Sequence, residues 1–288
     1  MRRGFRLAAS GIPMLVMSAL VAACLVSRAR AQSAAPAPPD ATPEMRVNCP
    51  GLVASRAPRA IPAVLRLAEL ATGEVRLSYV GHATFLIESP QGVRIATDYN
   101  DYVRPRVLPD IVTMNHAHST HYTDRPDPAI KLVLRGWRDD GQPTHYDVGF
   151  KDVRIRSVAT NIRTWGGETE RNGNSIFVFE IGGLCIAHLG HLHHLLTQPQ
   201  LDELGRMDVV MAPVDGSYTL DLDGMVEVLQ SLHAQMIIPM HFFNTLTLDR
   251  FLSRMRQTYR VEMSAVPSLV VSKKTLPSSP TVVVLPGH

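Results

Sequence analysis

Cysteine is scarce in this chain of 288 residues, which contains three, at positions 24, 49 and 185. Cys185 lies within an apolar run at residues 184–187, where a buried and inert thiol is the usual outcome. A catalytic cysteine is therefore not expected. Whether Cys49 and Cys185 form a disulfide stays open, because a sequence does not give the distance between two thiols.

An excess of charge of either sign is also lacking. The formal net charge is +3, from 29 basic and 26 acidic residues, but five arginines fall within residues 1–31, which contain no acid. The rest of the chain carries 24 basic and 26 acidic residues and lacks the electrostatic footprint of a nucleic-acid-binding protein. With 45% hydrophobic and 19% charged residues, the composition excludes a disordered or collagen-like chain.

The N-terminus has the three regions of a secretory signal. A basic start, MRRGFR, precedes an apolar stretch at residues 12–26 and the small-residue site Ala29-Arg30-Ala31. We expect a signal peptide over 1–31, no stable membrane span in the mature form, and a periplasmic or secreted protein. Twin-arginine export through Arg2-Arg3 and lipoprotein anchoring at Cys24 are open alternatives.

The remaining chain divides into an Ala/Pro-rich linker over 32–60 and one domain over 61–288. Apolar spacing predicts helices over 61–71, 198–204, 222–232 and 248–257. Strands are predicted over 75–80, 83–88, 93–97, 111–115, 131–134, 153–158, 175–181, 184–189, 209–212 and 236–239. A turn is predicted over 171–174, and Trp137 and Trp165 are expected to have structural roles. This order of elements favours an α/β fold with two sheets packed face to face and helices outside.

Three of the twelve histidines follow one apolar strand within six residues, at His116, His118 and His121. In an extended segment residues i and i+2 point to the same side, so His116 and His118 can converge, and a turn can add His121. Neutral imidazoles are well suited to Zn²⁺ or Fe²⁺. The cluster predicts a metal site, with one Zn²⁺ per chain as the expected ion and Fe²⁺ or Mn²⁺ as alternatives.

Two further strands end in histidine. The run at residues 188–194 closes one apolar strand, and His191, just past Gly190, is its best-placed ligand candidate, with His188 as an additional one. His241 ends another buried strand. Three strands that end in histidine predict a site at one edge of a sheet.

Five motifs occur in a characteristic order: YVGHATFLIE at 79–88, ATD at 96–98, HAHSTH at 116–121, AHLGH at 187–191 and IPMH at 238–241. In this order the chain resembles the metallo-β-lactamase superfamily, in particular the branch similar to ascorbate-6-phosphate lactonase and related metal-dependent hydrolases. The resemblance implies a four-layer αββα sandwich with a metal site at one sheet edge.

The chain departs from the pattern of that family at three positions. Thr120 stands where the motif H-x-H-x-D-H has Asp, Asn161 falls at a further histidine, and His191 replaces a bridging Asp. Two neighbouring dications normally need anionic ligands to offset their repulsion, so a single metal is expected. Two ligand sets remain open: His116, His118 and His191, or His121, His191 and His241.

Other polar residues are candidates around these ligands. Thr120 can hydrogen-bond a hydroxide, and His82 and Asp98 can hydrogen-bond the ligand histidines, so these three are the candidate catalytic residues. Possible additional site residues are Asn161, His188, Asp215 and Tyr218.

The leading functional hypothesis is an exported hydrolase of a small-molecule ester, lactone, amide or phosphoester that uses a metal-bound hydroxide. Two alternatives are a metal-binding protein without hydrolytic activity, because the lost carboxylates remove the general base, and an iron-dependent oxidoreductase. Nothing in the pattern indicates an oligomeric state.

Overall fold

The computed structural model describes residues 69–287. The predicted signal peptide, the linker, Cys24, Cys49 and most of the helix predicted over 61–71 lie outside the described residues, and residues 69–71 are not helical. Among the described residues no helix is long and apolar enough to cross a membrane.

Fourteen strands and three helices are found in the described part of the chain. The first nine strands are β1 (Val75–Gly81), β2 (Thr84–Glu88), β3 (Arg94–Ala96), β4 (Ile111–Met114), β5 (Leu132–Arg135), β6 (Asp147–Phe150), β7 (Val153–Arg163), β8 (Thr169–Ile181) and β9 (Leu184–His188). The remaining elements are α1 (Gln198–Leu204), β10 (Val209–Pro213), α2 (Leu222–Leu232), β11 (Met236–Met240), α3 (Thr245–Met255), β12 (Arg260–Met263), β13 (Ser268–Val271) and β14 (Thr281–Val284).

The strands form two mixed sheets. The six-stranded sheet has the order β13-β1-β2-β3-β4-β5, and the eight-stranded sheet has the order β12-β14-β11-β10-β9-β8-β7-β6. Strands β3, β4 and β5 run parallel in the first sheet, as do β9, β10 and β11 in the second. Because the carboxyl ends of parallel strands meet at one edge, the loops that follow them are gathered there.

The main core lies between the two sheets. Phe85 and Ile87 of the first sheet share one buried cluster with Phe177, Phe179 and Met211 of the second. Successive side chains of a strand point to opposite faces, so the alternate residues 177 and 179 both reach this core. Apolar burial between the sheets therefore fixes the register of the site-bearing strands.

The outer faces of the sheets are covered differently. All three described helices contribute to a second cluster on the eight-stranded sheet, where α2 presents Met225, Val228 and Leu229. On the six-stranded sheet the loop residues Tyr99 and Ile130 pack over the strands instead. The prediction of an α/β sandwich is confirmed, with helices over one sheet and loops over the other among the described residues.

The predicted strands and the two helices over 198–204 and 222–232 are present, but three features differ from the prediction. Strands β6, β12, β13 and β14 were not predicted, and β7 and β8 are longer than expected. The predicted turn over 171–174 is wrong, since these residues lie within β8, where Asn174 pairs with Thr160 of β7 and the register shifts between this pair and the pair of Ile162 and Glu170. A Cβ at Gly173 would lie 2.7 Å from the side chain of Ile162, so this glycine permits a close approach of two strands rather than a turn.

Replacement of Phe179 by Ala tests the importance of the inter-sheet core. Phe179 is fully buried, so Phe179→Ala should lower the free energy of unfolding by about 3–5 kcal/mol, as a cavity forms between the sheets. Urea unfolding of the purified protein measures the change. The matched control is Leu246→Ala on α3, where the side chain is 61% exposed and a change within about 0.5 kcal/mol is expected. Equal losses at the two positions would contradict this description of the core.

Candidate metal centre

Four histidines from both sheets meet at the edge where the parallel strands end. His118 and His121 follow β4, His191 follows β9, and His241 follows β11. One ring nitrogen from each lies within 4.8 Å of the corresponding atom of the others. Tetrahedral Zn–N bonds of about 2.0–2.1 Å put donors roughly 3.4 Å apart, so the four rings need only small movements to surround a single ion.

Two buried carboxylates hold two of these rings. Asp98 Oδ2 lies 2.6 Å from His121 Nδ1, and Asp215 Oδ2 lies 3.0 Å from His241 Nδ1. An ionised carboxylate only accepts hydrogen bonds, so both Nδ1 atoms carry the proton and both Nε2 atoms carry a lone pair. The carboxylates therefore select the tautomer that a metal ligand needs.

The Nε2 atoms of His121 and His241 are buried and have no hydrogen-bond partner. A buried polar atom without a partner costs free energy, and a metal ion bound within the cluster would give both atoms a partner. The donor set fits a borderline-soft divalent cation such as Zn²⁺ or Fe²⁺. These four histidines form the candidate metal centre.

Further hydrogen bonds position the two carboxylates. Asn115 Nδ2 donates to Asp98 Oδ1 at 2.8 Å, and the Thr219 hydroxyl donates to Asp215 Oδ2 at 2.6 Å. Burial raises the pKa of Asp98 to about 6. Burial also acts to raise the pKa of Asp215, but hydrogen bonds from His241 and Thr219 outweigh it and hold that pKa well below its usual range.

Burial favours the neutral form of three of the imidazoles. Burial is the main cause that lowers the pKa of His118, His121 and His191, and the neighbouring histidines lower each of them further. A neutral imidazole offers a lone pair, whereas an imidazolium does not.

Three residues of the site adopt left-handed backbone conformations. The φ angles are 52° at His82, 42° at Asp98 and 55° at His241. Such values are uncommon for residues other than glycine and concentrate at functional sites, where the surrounding structure maintains them. Here they turn the chain sharply just after β1, β3 and β11, so that each side chain reaches the site.

Thr120 lies between two of the histidines. Its Oγ1 is 2.7 Å from His118 Nδ1 and 2.9 Å from His82 Nε2. The hydroxyl can accept from one ring and donate to the other. Burial lowers the pKa of His82 to about 3, so the ring of His82 is neutral. Thr120 thus orients His118, and neither Thr120 nor His82 belongs to the four-histidine group.

Two buried asparagines and a glycine join the loops of the two sheets. Asn115 Oδ1 accepts from the Ser175 backbone, and Asn174 Oδ1 accepts from the His191 backbone, both at 2.8 Å. A Cβ at Gly190, where φ is +61°, would collide with both asparagine side chains. The glycine is required because the backbone passes directly against this pair.

The structure does not bring His116 to the cluster. Its Nδ1 lies 2.9 Å from Glu170 Oε1, and its ring stacks on Trp137 with centroids 5.1 Å apart. Strand β4 ends at Met114, and the His116 backbone bonds to Gly173 instead, so the alternation of an extended strand does not apply to residues 116–118. The predicted set His116, His118 and His191 is therefore not assembled, whereas His121, His191 and His241 are close together.

His188 is placed differently from the additional ligand that was expected. Its Nε2 lies 2.8 Å from the Ala83 carbonyl, and its Nδ1 accepts from the Gly190 backbone at 3.2 Å. Both ring nitrogens are used to tie β9 to the loop before β2, so neither is available to a metal.

The other predicted site residues have different positions. Asp98 is fully buried behind His121, which makes it a positioning residue rather than one that touches substrate. Asn161 accepts from the Asn172 backbone between β7 and β8, outside the cluster. Asp215 supports His241, and Tyr218 lines the cleft.

A cleft of about 700 Å³ opens beside the centre. His118 and His191 lie on its wall, together with His116, Glu170, Trp165, Tyr218, His193 and Arg163. The expected structural role of Trp165 is not supported, because its side chain is 88% exposed in this cleft. Glu170 and Arg163 were missed, since nothing in their sequence context indicates that the β7–β8 hairpin borders the site.

Substitution of single histidines tests the metal assignment. His121→Ala and His241→Ala should each lower the affinity for Zn²⁺ by about 100-fold or more, because each removes a carboxylate-oriented donor. His116→Ala should change it by less than about tenfold. Titration of metal-free protein against a chelator measures the affinities and should give one Zn²⁺ per chain.

The control is His145→Ala, because the His145 side chain is 65% exposed and contacts Glu203, which is not part of the cluster. Loss of Zn²⁺ in His116→Ala equal to that in His121→Ala would contradict the assignment, as would two equivalents bound with similar affinity.

Comparison with known proteins places this chain in a family. The β-lactamase superfamily domain matches residues 76–241. The UPF0173 metal-dependent hydrolase of Thermoplasma volcanium is 27% identical over 190 residues, which are 59% of this chain and 84% of that protein. The corresponding protein of Thermoplasma acidophilum is 25% identical over 197 residues, which are 61% of this chain and 86% of that protein.

Among solved structures, a protein of Thermotoga maritima proposed to be a Zn-dependent hydrolase of the metallo-β-lactamase superfamily is 30% identical, with a TM-score of 0.54. The match covers 74% of this chain and 100% of that one. The two-sheet fold agrees with these comparisons, and the chain belongs to the metallo-β-lactamase superfamily as a metal-dependent hydrolase.

Proposed function

We propose that this protein is an exported hydrolase that binds one Zn²⁺ and cleaves a carbonyl ester, lactone or amide of a small molecule. The observation that carries the proposal is the pair of buried, partnerless Nε2 atoms on His121 and His241, next to an open cleft. When bound there, a divalent cation would act as a Lewis acid that acidifies water and polarises a substrate oxygen.

The residues of the chain prepare that chemistry by fixing geometry. Asp98 and Asp215 hold the rings of His121 and His241, and Thr120 holds the ring of His118. All these contacts are made between groups of the protein itself. A preorganised site avoids part of the entropic cost of the reaction.

An aromatic row leads from the cleft to the centre. The ring centroids of Trp165 and Tyr218 are 6.2 Å apart, those of Tyr218 and Phe243 are 5.5 Å apart, and Phe243 lies 5.4 Å from His241. The three aromatic side chains are 88%, 50% and 56% exposed, respectively. They offer an apolar face to a substrate whose reacting group is at the metal, and this favours a substrate with an aromatic or alkyl portion.

The charges of the cleft favour a carbonyl substrate over a phosphoester. Arg163 is the cationic side chain of the lining, and its guanidinium donates to the backbone carbonyls of Ser217 and Thr219. Glu170 adds a carboxylate beside His116. A phosphoester anion would meet one cationic side chain among the described lining residues, that of Arg163, whose Nη2 is already engaged by two backbone carbonyls.

Hydrolysis of chromogenic esters tests the proposal. The Zn²⁺-loaded protein should hydrolyse nitrophenyl esters with aromatic or alkyl acyl groups faster than a bis-nitrophenyl phosphate. A chelator should abolish the activity, and Zn²⁺ should restore it. Trp165→Ala should raise KM for an aromatic ester by up to about tenfold while metal content is unchanged.

The matched control is Tyr102→Ala, an aromatic side chain that is 70% exposed outside the cleft lining, for which no change in KM is expected. Bound Zn²⁺ without hydrolysis of any carbonyl substrate would overturn the proposal in favour of a metal-binding protein without hydrolytic activity. Faster cleavage of the phosphodiester would overturn the assigned substrate class.

Export is the part of the proposal that rests on residues 1–31, with their basic start, apolar stretch and Ala29-Arg30-Ala31 site. Expression in a Gram-negative host should place the protein in the periplasmic fraction with Gln32 as its new N-terminus. N-terminal sequencing of that fraction measures this. Full-length protein in the cytoplasmic fraction would contradict export, and a lipid-modified Cys24 in the membrane fraction would show anchoring instead.

A further inference from the structure

The hydrogen bonds behind His191 differ in kind from those behind His121 and His241. The backbone N–H of Arg163 donates to His193 Nδ1. His193 Nε2 lies 2.5 Å from His191 Nδ1, and His191 Nε2 lies 3.0 Å from His118 Nε2. No carboxylate takes part in this chain of contacts.

The backbone N–H of Arg163 sets the direction of every hydrogen bond in this series, because a backbone N–H can only donate. His193 Nδ1 is therefore an acceptor, and a neutral His193 has its proton on Nε2. That proton points to His191 Nδ1, which must accept it. A neutral His191 then carries its own proton on Nε2, the atom that faces the cluster.

The neighbouring rings have the opposite tautomer, with the proton on Nδ1. The carboxylates of Asp98 and Asp215 take the Nδ1 protons of His121 and His241 and leave their Nε2 atoms bare. His118 Nδ1 faces the Thr120 hydroxyl at 2.7 Å, which can accept, and His118 Nε2 faces the N–H of His191. Three rings thus present lone pairs to the centre, and one presents a proton.

We propose that His118, His121 and His241 hold the metal through Nε2, and that His191 is an N–H donor to the substrate oxygen rather than a fourth ligand. This inference rests on the proposed hydrolase function and assigns a residue of that same site. A metal ion bound to His118 Nε2 would occupy the lone pair that now accepts from His191. The N–H of His191 would then be free to donate to an oxygen on the cleft side.

The position of His191 suits that role. His191 and His118 line the cleft, whereas His121 and His241 are fully buried behind them. A fixed donor in a largely buried site stabilises negative charge that develops on a carbonyl oxygen during hydrolysis. His191 is 2% exposed, so little water competes for its N–H.

The local structure fixes the direction of these hydrogen bonds. Arg163 is the last residue of β7 and pairs with Thr169 of β8, and its guanidinium donates to the carbonyls of Ser217 and Thr219. The His191 backbone is held by Asn174 at 2.8 Å. Both ends of the Arg163–His193–His191 chain are therefore anchored in the β7–β8 hairpin.

Zn²⁺ affinity distinguishes a donor from a ligand. His191→Gln should keep Zn²⁺ affinity within about tenfold of the wild type, whereas His121→Gln should lose about 100-fold or more. His194→Gln, in the same loop, is the matched control and should bind like the wild type. A loss in His191→Gln equal to that in His121→Gln would overturn the proposal.

Nitrogen-15 NMR of the histidine rings gives a readout that does not depend on activity. In the Zn²⁺-loaded wild type, the ring signals that disappear in His191→Gln should show a protonated Nε2 and an unprotonated Nδ1. His193→Leu removes the donor, so His191 should become free to protonate Nδ1 and to bind Zn²⁺ as a fourth ligand. X-ray absorption should then count four imidazoles rather than three.

A protonated Nδ1 and a metal-bound Nε2 on His191 in the wild type would overturn the proposal, as would four imidazoles in both proteins. With an ester substrate, His191→Phe should lower kcat by about 100-fold at full Zn²⁺ occupancy. If no substrate is hydrolysed, the hydrolase proposal fails, while the affinity and NMR results still decide whether His191 is a ligand.

Discussion

The carboxylates of Asp98 and Asp215 receive the Nδ1 protons of His121 and His241 in the interior of the protein, where neither pair is exposed to water. Because an ionised carboxylate cannot donate, these two contacts decide the tautomer of both rings and aim two lone pairs at one point. Much of the surrounding structure serves to hold the carboxylates: Asn115 donates to one of them, and three backbone N–H groups at residues 217–219 donate to the other. The chemistry of the centre follows from these two hydrogen bonds.

The two carboxylate–histidine pairs come from different sheets, so the site forms only when the two sheets pack together. Asp98 and His121 follow β3 and β4, whereas Asp215 and His241 follow β10 and β11. Left-handed backbone conformations at Asp98 and His241 turn each chain inward directly after its strand. The strained backbone is maintained because the strands before it are locked in a fully buried core.

Sequence patterns predicted the elements that have a strong apolar period and missed those that do not. The helix over 222–232 matches its prediction because Met225, Val228 and Leu229 mark one face. Strand β12 was missed because most of its residues are exposed and give no pattern. Strand β14 is the exception, because it was missed although Thr281–Val284 is a β-branched run that follows a proline.

The sequence predicted which residue types form the candidate site, but not which of these residues contact one another. Histidines at strand ends pointed to the right edge, yet the prediction for His116 assumed a strand that in fact ends at Met114. The partners of the ligands lie 23 residues away for His121 and 26 for His241, and no local rule joins such pairs. The direction of the hydrogen bond to His193 depends on where the end of β7 lies, which only the folded chain determines.

The contact of Asn115, Asn174 and Gly190 has a consequence for how the protein unfolds. Asn115 comes from the six-stranded sheet and bonds to Ser175 of the eight-stranded sheet, while Asn174 of the latter holds the loop of His191. The two halves of the centre are thus clamped across the interface between the sheets. A metal ion bound to histidines of both halves would act as a cross-link between the sheets, and its binding free energy would add directly to the resistance of the sandwich to shear and separation. Loss of the ion would therefore first weaken the packing of one sheet against the other.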